Sequence, residues 1–70
     1  MELTEVLSTN IRAIGYEEES NTLAVKFAYG DSIYHYFQVP SEVYKLLMAS
    51  PSVGSFFEAN IKHKYKFQKQ

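Results

Sequence analysis

The residues best suited to chemistry lie at the C-terminal end. Lys62, Lys64, Lys66 and Lys69 fall within the last ten residues, with no acid among them and with Tyr65 and Phe67 interleaved. Clustered lysines neutralise phosphates and release counterions, and aromatic rings stack on unpaired bases. This makes Lys62, Lys64, Tyr65, Lys66 and Lys69 the candidate nucleic-acid contacts. The alternative is a solvated terminus, where lysines accumulate anyway. Alternation of Lys62, Lys64 and Lys66 with His63, Tyr65 and Phe67 is also the pattern of a short edge strand. A second constellation is Tyr34-His35-Tyr36, two rings at the two-residue spacing that puts them on one face of a strand.

Other chemistry fails on inventory. There is no glycine-rich phosphate loop, no nucleophile motif and no spaced acid pair with a base. His35 and His63 are far apart in sequence, cysteine is absent, and no HxxH-type spacing occurs, so neither a metal site nor a cofactor is expected. Ser8 and Ser52 are read as turn or capping residues, and Asp31 as a turn residue. The expectation is a non-catalytic binding domain.

The elements that position these residues change period along the chain. Asn10 to Tyr16 reads as a strand, with Ile11, Ala13 and Gly15 on one face and Arg12, Ile14 and Tyr16 on the other. Glu17 to Asn21 is a polar turn. Thr22 to Tyr29 alternates, with Leu23, Val25, Phe27 and Tyr29 to one side, as a half-buried antiparallel strand does. Gly30-Asp31 supplies a hairpin turn. Ile33 to Gln38 is the third strand. A short loop there pairs Phe27 with Tyr34 and Val25 with Tyr36. Tyr34 and Tyr36 therefore share the face of Leu23, Val25 and Phe27, which favours core packing over exposed stacking. His35 then faces the other way, with Ile33 and Phe37.

Pro40 suits a helix start, and Val43, Leu46 and Leu47 recur at helical spacing until Ser50-Pro51 stops the run. Ser52 caps a second helix, in which Val53, Phe57 and Ile61 fall four residues apart and to which Tyr65 adds if the helix continues. Three strands followed by two helices predict an α+β fold: a three-stranded antiparallel sheet with two short C-terminal helices packed on one face. The expected core is Ile14, Tyr16, Leu23, Val25, Phe27, Tyr34, Tyr36, Val43, Leu47, Phe57 and Ile61.

Seventy residues allow one domain over 1–70, at the small end of what folds alone. A hydrophobic content of 46%, with six Tyr and five Phe, compensates, because aromatic side chains bury the most area per residue. Dimerisation would also enlarge a small core, so monomer and homodimer both stay open. Net charge is −1, and the acids Glu2, Glu5, Glu17, Glu18 and Glu19 lie far from the basic 62–70 tail. The absence of cysteine, of a signal-like start and of a long apolar run points to a cytoplasmic protein with no membrane partner.

Taken together, these residues resemble the KTSC family, named for the C-terminus of some lysyl-tRNA synthetases. The resemblance is carried by Ser8 with Asn10-Ile11, Ile14-Gly15-Tyr16, Thr22-Leu23, and Phe27 before Gly30. It continues through Tyr34-His35-Tyr36, Val39-Pro40, Val43-Tyr44, and Ser52-x-Gly54-x-Phe56-Phe57 with Ile61, so that it spans about 8–65. The triple Glu17-Glu18-Glu19 departs from it, where a single acid is expected after the Gly-Tyr pair. The resemblance implies a small α+β domain of bacterial or phage proteins, found alone or appended to larger chains. Through the synthetase context it also implies contact with RNA.

Two functions follow as expectations. One is weak binding of RNA or other single-stranded nucleic acid by the lysine tail. The other is a protein–protein interaction, by self-association or docking to a partner, through the uncovered sheet face of Ile33, His35 and Phe37.

Overall fold

A computed structural model describes all residues, 1–70. The strands are β1 (Thr4–Glu5), β2 (Ile11–Glu17), β3 (Thr22–Phe27), β4 (Ile33–Tyr36) and β5 (Phe67–Lys69). Helices α1 (Ser41–Ala49) and α2 (Val53–Asn60) lie between β4 and β5. The fold is α+β with two helices and an antiparallel sheet, but the sheet has five strands in the order β1-β2-β3-β4-β5, not three. Both additional strands are edges. β1 is only two residues long, and β5 is made from what reads as the basic tail.

Alternation sorts the faces. Ile14 pairs with Val25, Tyr16 with Leu23, Val25 with Tyr34 and Leu23 with Tyr36, so all of these share one face. The expected register of β3 against β4 slides by two residues, with Lys26 rather than Ala28 opposite Ile33 and residues 28–32 forming the connection. A slip of two preserves parity, so every side chain keeps its face. Gly30 sits at φ 98°, the left-handed region that glycine enters at little cost.

One face assignment is corrected. The register shifts between Ile11 and Ala13, so that Arg12 is the extra residue of a β-bulge. The bulge turns Ile11 onto the face of Ile14, where it is 1% exposed, and leaves Arg12 in solvent.

The helices cover that face. Ile11, Ile14, Leu23, Val25 and Tyr36 meet Val39, Leu47, Val53, Phe57 and Ile61 in one cluster. Phe27 is only half-buried, contrary to its expected place in the core. Phe57 is the central ring, packed edge-on against both Phe27 and Tyr36. Tyr16, Tyr34 and Val43 pack at the margin, and Leu46, on the outer side of α1, is exposed. Tyr65 reaches the margin from a turn after α2, which stops at Asn60, and not from a continued helix.

Two local devices hold the helices to the sheet. Ser52 Oγ accepts the Ser55 N–H at 3.3 Å and caps α2. Ser8 Oγ accepts from the amides of Asn10 and Ile11, closing the β1–β2 turn. The same oxygen lies 2.9 Å from where a Cβ on Gly54 would stand, so a larger residue there would have to displace the Ser8 hydroxyl from its place in the turn.

The opposite face carries no helix. Its centre is the small residues Ala13, Gly15 and Ala24, and the N-terminal segment crosses it at Gly15. No helix is long and apolar enough to cross a membrane.

Candidate nucleic-acid interface

Pairing of β5 with β4 sets Phe67 opposite Tyr36 and Lys69 opposite Tyr34, all on the helix-side face. Phe57 of α2 packs on Tyr36, which is 2% exposed, whereas Tyr34 is half-buried and Phe67 is exposed. The rings form a continuous series. Phe57 meets Tyr36 at 5.3 Å between centroids, Tyr36 meets Phe67 at 5.3 Å, and Phe67 meets Tyr34 at 5.8 Å. Tyr34 meets Phe27 at 5.3 Å, edge-on. The series runs from the core to the sheet edge, where Phe67 is 54% exposed.

Beyond the end of α2 these rings floor an open cleft of about 660 Å³, lined also by Tyr29, Gly30 and Ser32 of the β3–β4 connection. Lys62 and His63 border it from the turn after α2, and Lys69 borders it from β5. That turn is well tied. The N–H groups of Ile61 and Lys62 both donate to the Phe57 carbonyl, at 2.9 and 3.0 Å, and the Lys64 N–H donates to Ile61 at 3.0 Å.

The charged residues that line the cleft are cations, and one of them is paired from outside it. Lys62 Nζ lies 3.4 Å from Glu58 Oε2, and both side chains are about half exposed. Burial raises the Tyr36 phenol above its ordinary pKa, with the Tyr34 phenol and Glu58 adding to the effect. Tyr36 is therefore neutral at physiological pH.

The expected contacts do not form one patch. Lys62 and Lys69 join the aromatic cleft. Lys64, Tyr65 and Lys66 line a separate groove of about 560 Å³ with Phe37 and Gln38. Lys66 is held there by its carbonyl, which accepts the Phe37 N–H at 2.9 Å. Tyr65 packs part of its ring on the core margin. Sequence reasoning placed Phe67 among the lysines but did not join it to Tyr34 and Tyr36, and it missed Phe27 as a cleft residue. The signal was the shared parity of Phe67 with Tyr36, which is readable only once β5 is known to pair with β4.

Ile33 and His35 lie on the helix-free face opposite Lys26 and Ala24, and with Phe37 they are half-buried. No group of three or more His, Cys, Asp or Glu is placed to hold a metal ion. A further depression between Ser8–Asn10 and the start of α2 is lined with hydroxyls. Those of Ser8 and Ser52 already accept backbone amides, so it serves the fold.

The sequence profile of the KTSC domain matches residues 7–65. The chain belongs to the KTSC domain family. It is 41% identical over 58 residues to a lysine–tRNA ligase of Nostoc punctiforme, an alignment covering 83% of this chain and 10% of the ligase. The KTSC chain thus spans about a tenth of the length of that relative. A protein of Tsukamurella paurometabola is 36% identical over 61 residues, covering 87% of this chain and 90% of its own. Among solved structures, the crystal structure of a KTSC domain protein from Yersinia pestis superposes with a TM-score of 0.94 at 30% identity, covering 99% of this chain and 96% of that one. Several residues that carried the resemblance now have structural reasons. Ser8 and Gly54 fit one against the other, Ser52 caps α2, and Tyr34 and Tyr36 lead from core to cleft.

Proposed function

We propose that this KTSC domain is a low-specificity binder of single-stranded nucleic acid, RNA foremost, and that the cleft of Tyr34, Phe67, Lys62 and Lys69 is its binding surface. The observation that carries this is Phe67. It is a large ring, 54% exposed, set beside Tyr34 and flanked by lysines. Exposed aromatics beside cations are what a sequence-tolerant single-strand site needs, because every base has a stacking face and every linkage a phosphate. The ligase relatives are named for a tRNA substrate, which accords with RNA as the ligand. The cleft is open on one side and holds few cations, so the affinity is weak and strongly salt-dependent.

The test is an amide NMR titration with short single-stranded RNA and DNA and with duplex controls, at low and physiological salt. Shifts should centre on Tyr34, Lys62, His63, Phe67 and Lys69 and fade as salt rises. Phe67→Ala should weaken binding by about 1–3 kcal/mol, roughly 5- to 150-fold in Kd. Absence of shifts even at low salt would refute the proposal.

A further inference from the structure

No acid lines the aromatic cleft itself, but Glu58, which borders the neighbouring depression at the start of α2, reaches across to Lys62, one of the cations the nucleic-acid reading requires. Glu58 stands on the last turn of α2, and its Oε2 lies 3.4 Å from Lys62 Nζ. The pairing is built into the chain. Glu four residues N-terminal to Lys is the favourable orientation on a helix. The Lys62 N–H bonds the Phe57 carbonyl at 3.0 Å, five residues back, in the wider turn that closes α2, and this fixes Lys62 just past the helix end. The contact is also weak. Its length exceeds the roughly 2.7–2.9 Å of a strong charge-assisted hydrogen bond. Both side chains are about half in solvent, at 44% and 50% exposure, where ion pairs are screened and worth little. The pair is close enough to engage Lys62 and loose enough to be displaced.

We propose that Glu58 is a built-in competitor for phosphate: it occupies Lys62 in the free domain, is displaced when a nucleic-acid strand enters the cleft, and so sets the affinity low. This rests on the nucleic-acid reading of the cleft and adds a residue that works against binding. It has a specific consequence. A lysine that already holds a carboxylate releases fewer condensed ions when it meets a phosphate, so the salt dependence of the native domain understates its number of cleft lysines.

The experiment measures fluorescence anisotropy of a labelled eight-nucleotide oligouridine at two salt concentrations. It compares the full chain with Glu58→Gln, Lys62→Gln, the double variant and Phe67→Ala. Glu58→Gln conserves shape at a half-exposed position, and an amide NMR spectrum verifies its fold. The expected result is that Glu58→Gln binds about 2- to 5-fold tighter at low salt, from release of an exposed helical ion pair and loss of its repulsion. The slope of log K against log salt should steepen by up to about 0.7, the contribution of one phosphate contact on a single strand. In the Lys62→Gln background the same substitution should gain much less, because the interaction it relieves is gone. Unchanged or weaker binding by Glu58→Gln overturns the proposal, as does an equal gain with and without Lys62, which would mean general repulsion. If the native domain binds and Phe67→Ala weakens it while Glu58→Gln does nothing, only the competitor role falls. If neither the native domain nor Glu58→Gln binds, both readings fall.

Discussion

The Tyr16 hydroxyl donates to the Val39 carbonyl at 2.6 Å, and its oxygen stands 3.1 Å from the side-chain amide of Asn21. Val39 in turn donates its N–H to the Asn21 carbonyl at 2.9 Å. The β2–β3 turn, where Asn21 takes a left-handed φ of 54°, is thereby locked to the segment that leads from β4 into α1. The Tyr16 ring also stacks on Tyr44 of α1, at 4.7 Å and 9° between planes. One side chain thus joins the sheet to the first helix.

Tyr16→Phe should keep the stack and lose the hydrogen bond. The Val39 side is buried, so its carbonyl loses a partner that water replaces poorly, and the expected loss is about 1–2 kcal/mol. For so small a domain this lowers Tm by roughly 4–16 °C in a thermal melt. A Tm unchanged within a degree would show that the bond contributes nothing net.

The same tyrosine sets a pH dependence. Desolvation, with Glu18 adding to it, raises the Tyr16 phenol above its ordinary value of 10.0, and burial does the same for Tyr36. The folded state therefore favours the neutral phenols. Their contribution is fully present below about pH 10 and is lost as pH rises through the folded values above it. Melts in alkaline buffer should show Tm falling above about pH 10, and Tyr16→Phe should fall less steeply than the native chain. An equal slope for both would remove Tyr16 as a cause.

Gly15 makes the other sharp prediction. A Cβ there would stand 2.5 Å from the Glu2 carbonyl oxygen and 2.8 Å from Leu3 Cδ2. Gly15→Ala should push the N-terminal segment off the helix-free face and unpair β1, with overpacking of about 1–3 kcal/mol setting the scale. Hydrogen exchange should report it at the Val6 amide, which now bonds the Arg12 carbonyl at 3.0 Å. Retained protection at Val6 would mean that the segment can shift without leaving.

These devices mark where the sequence was legible and where it was not. Alternation at Leu23, Val25, Phe27, Tyr34 and Tyr36 gives the faces of β3 and β4 correctly, because period two survives a register slip of two. Ser52 and the spacing of Val53, Phe57 and Ile61 locate α2. What escapes is whatever depends on backbone pairing alone. Thr4–Glu5 has no apolar rhythm, and its strand exists because β2 has a free edge. Arg12 gives no local sign of a bulge, yet the bulge carries Ile11 into the core. Val39 follows left-handed Gln38, outside any period, and is nonetheless fully buried. The lysines of the C-terminal segment read as nucleic-acid contacts, a solvated terminus or a short edge strand, because charge alone does not choose among them. In the structure only Lys69 belongs to the edge strand, while Lys62 and Lys64 sit in the turn after α2 and Lys66 just before β5.

Stability should follow the observed centre of the core. Phe57→Ala removes a ring that is 1% exposed and touches both Phe27 and Tyr36, at about 3–5 kcal/mol. That is a large share of what a small domain has, so the variant should be mostly unfolded by circular dichroism. Phe27→Ala, at a half-buried position, should fall below that range and remain folded. Equal losses would place the core nearer the β3–β4 connection than the packing around Phe57 does.

The division of the lysines gives the most direct test of where a strand lies. Lys62→Glu with Lys69→Glu reverses both cations of the aromatic cleft, whereas Lys64→Glu with Lys66→Glu makes the same charge change in the Phe37-Gln38 groove. The two double variants have equal net charge, so long-range attraction alone would weaken both alike. At physiological salt the screening length is about 8 Å, and contact geometry should then decide. The first variant should abolish oligonucleotide binding, and the second should reduce it only a few-fold. The reverse ranking would move the ligand to the groove of Lys64 and Lys66. Phe67 would then be an exposed ring at a sheet edge, with no part in holding a base.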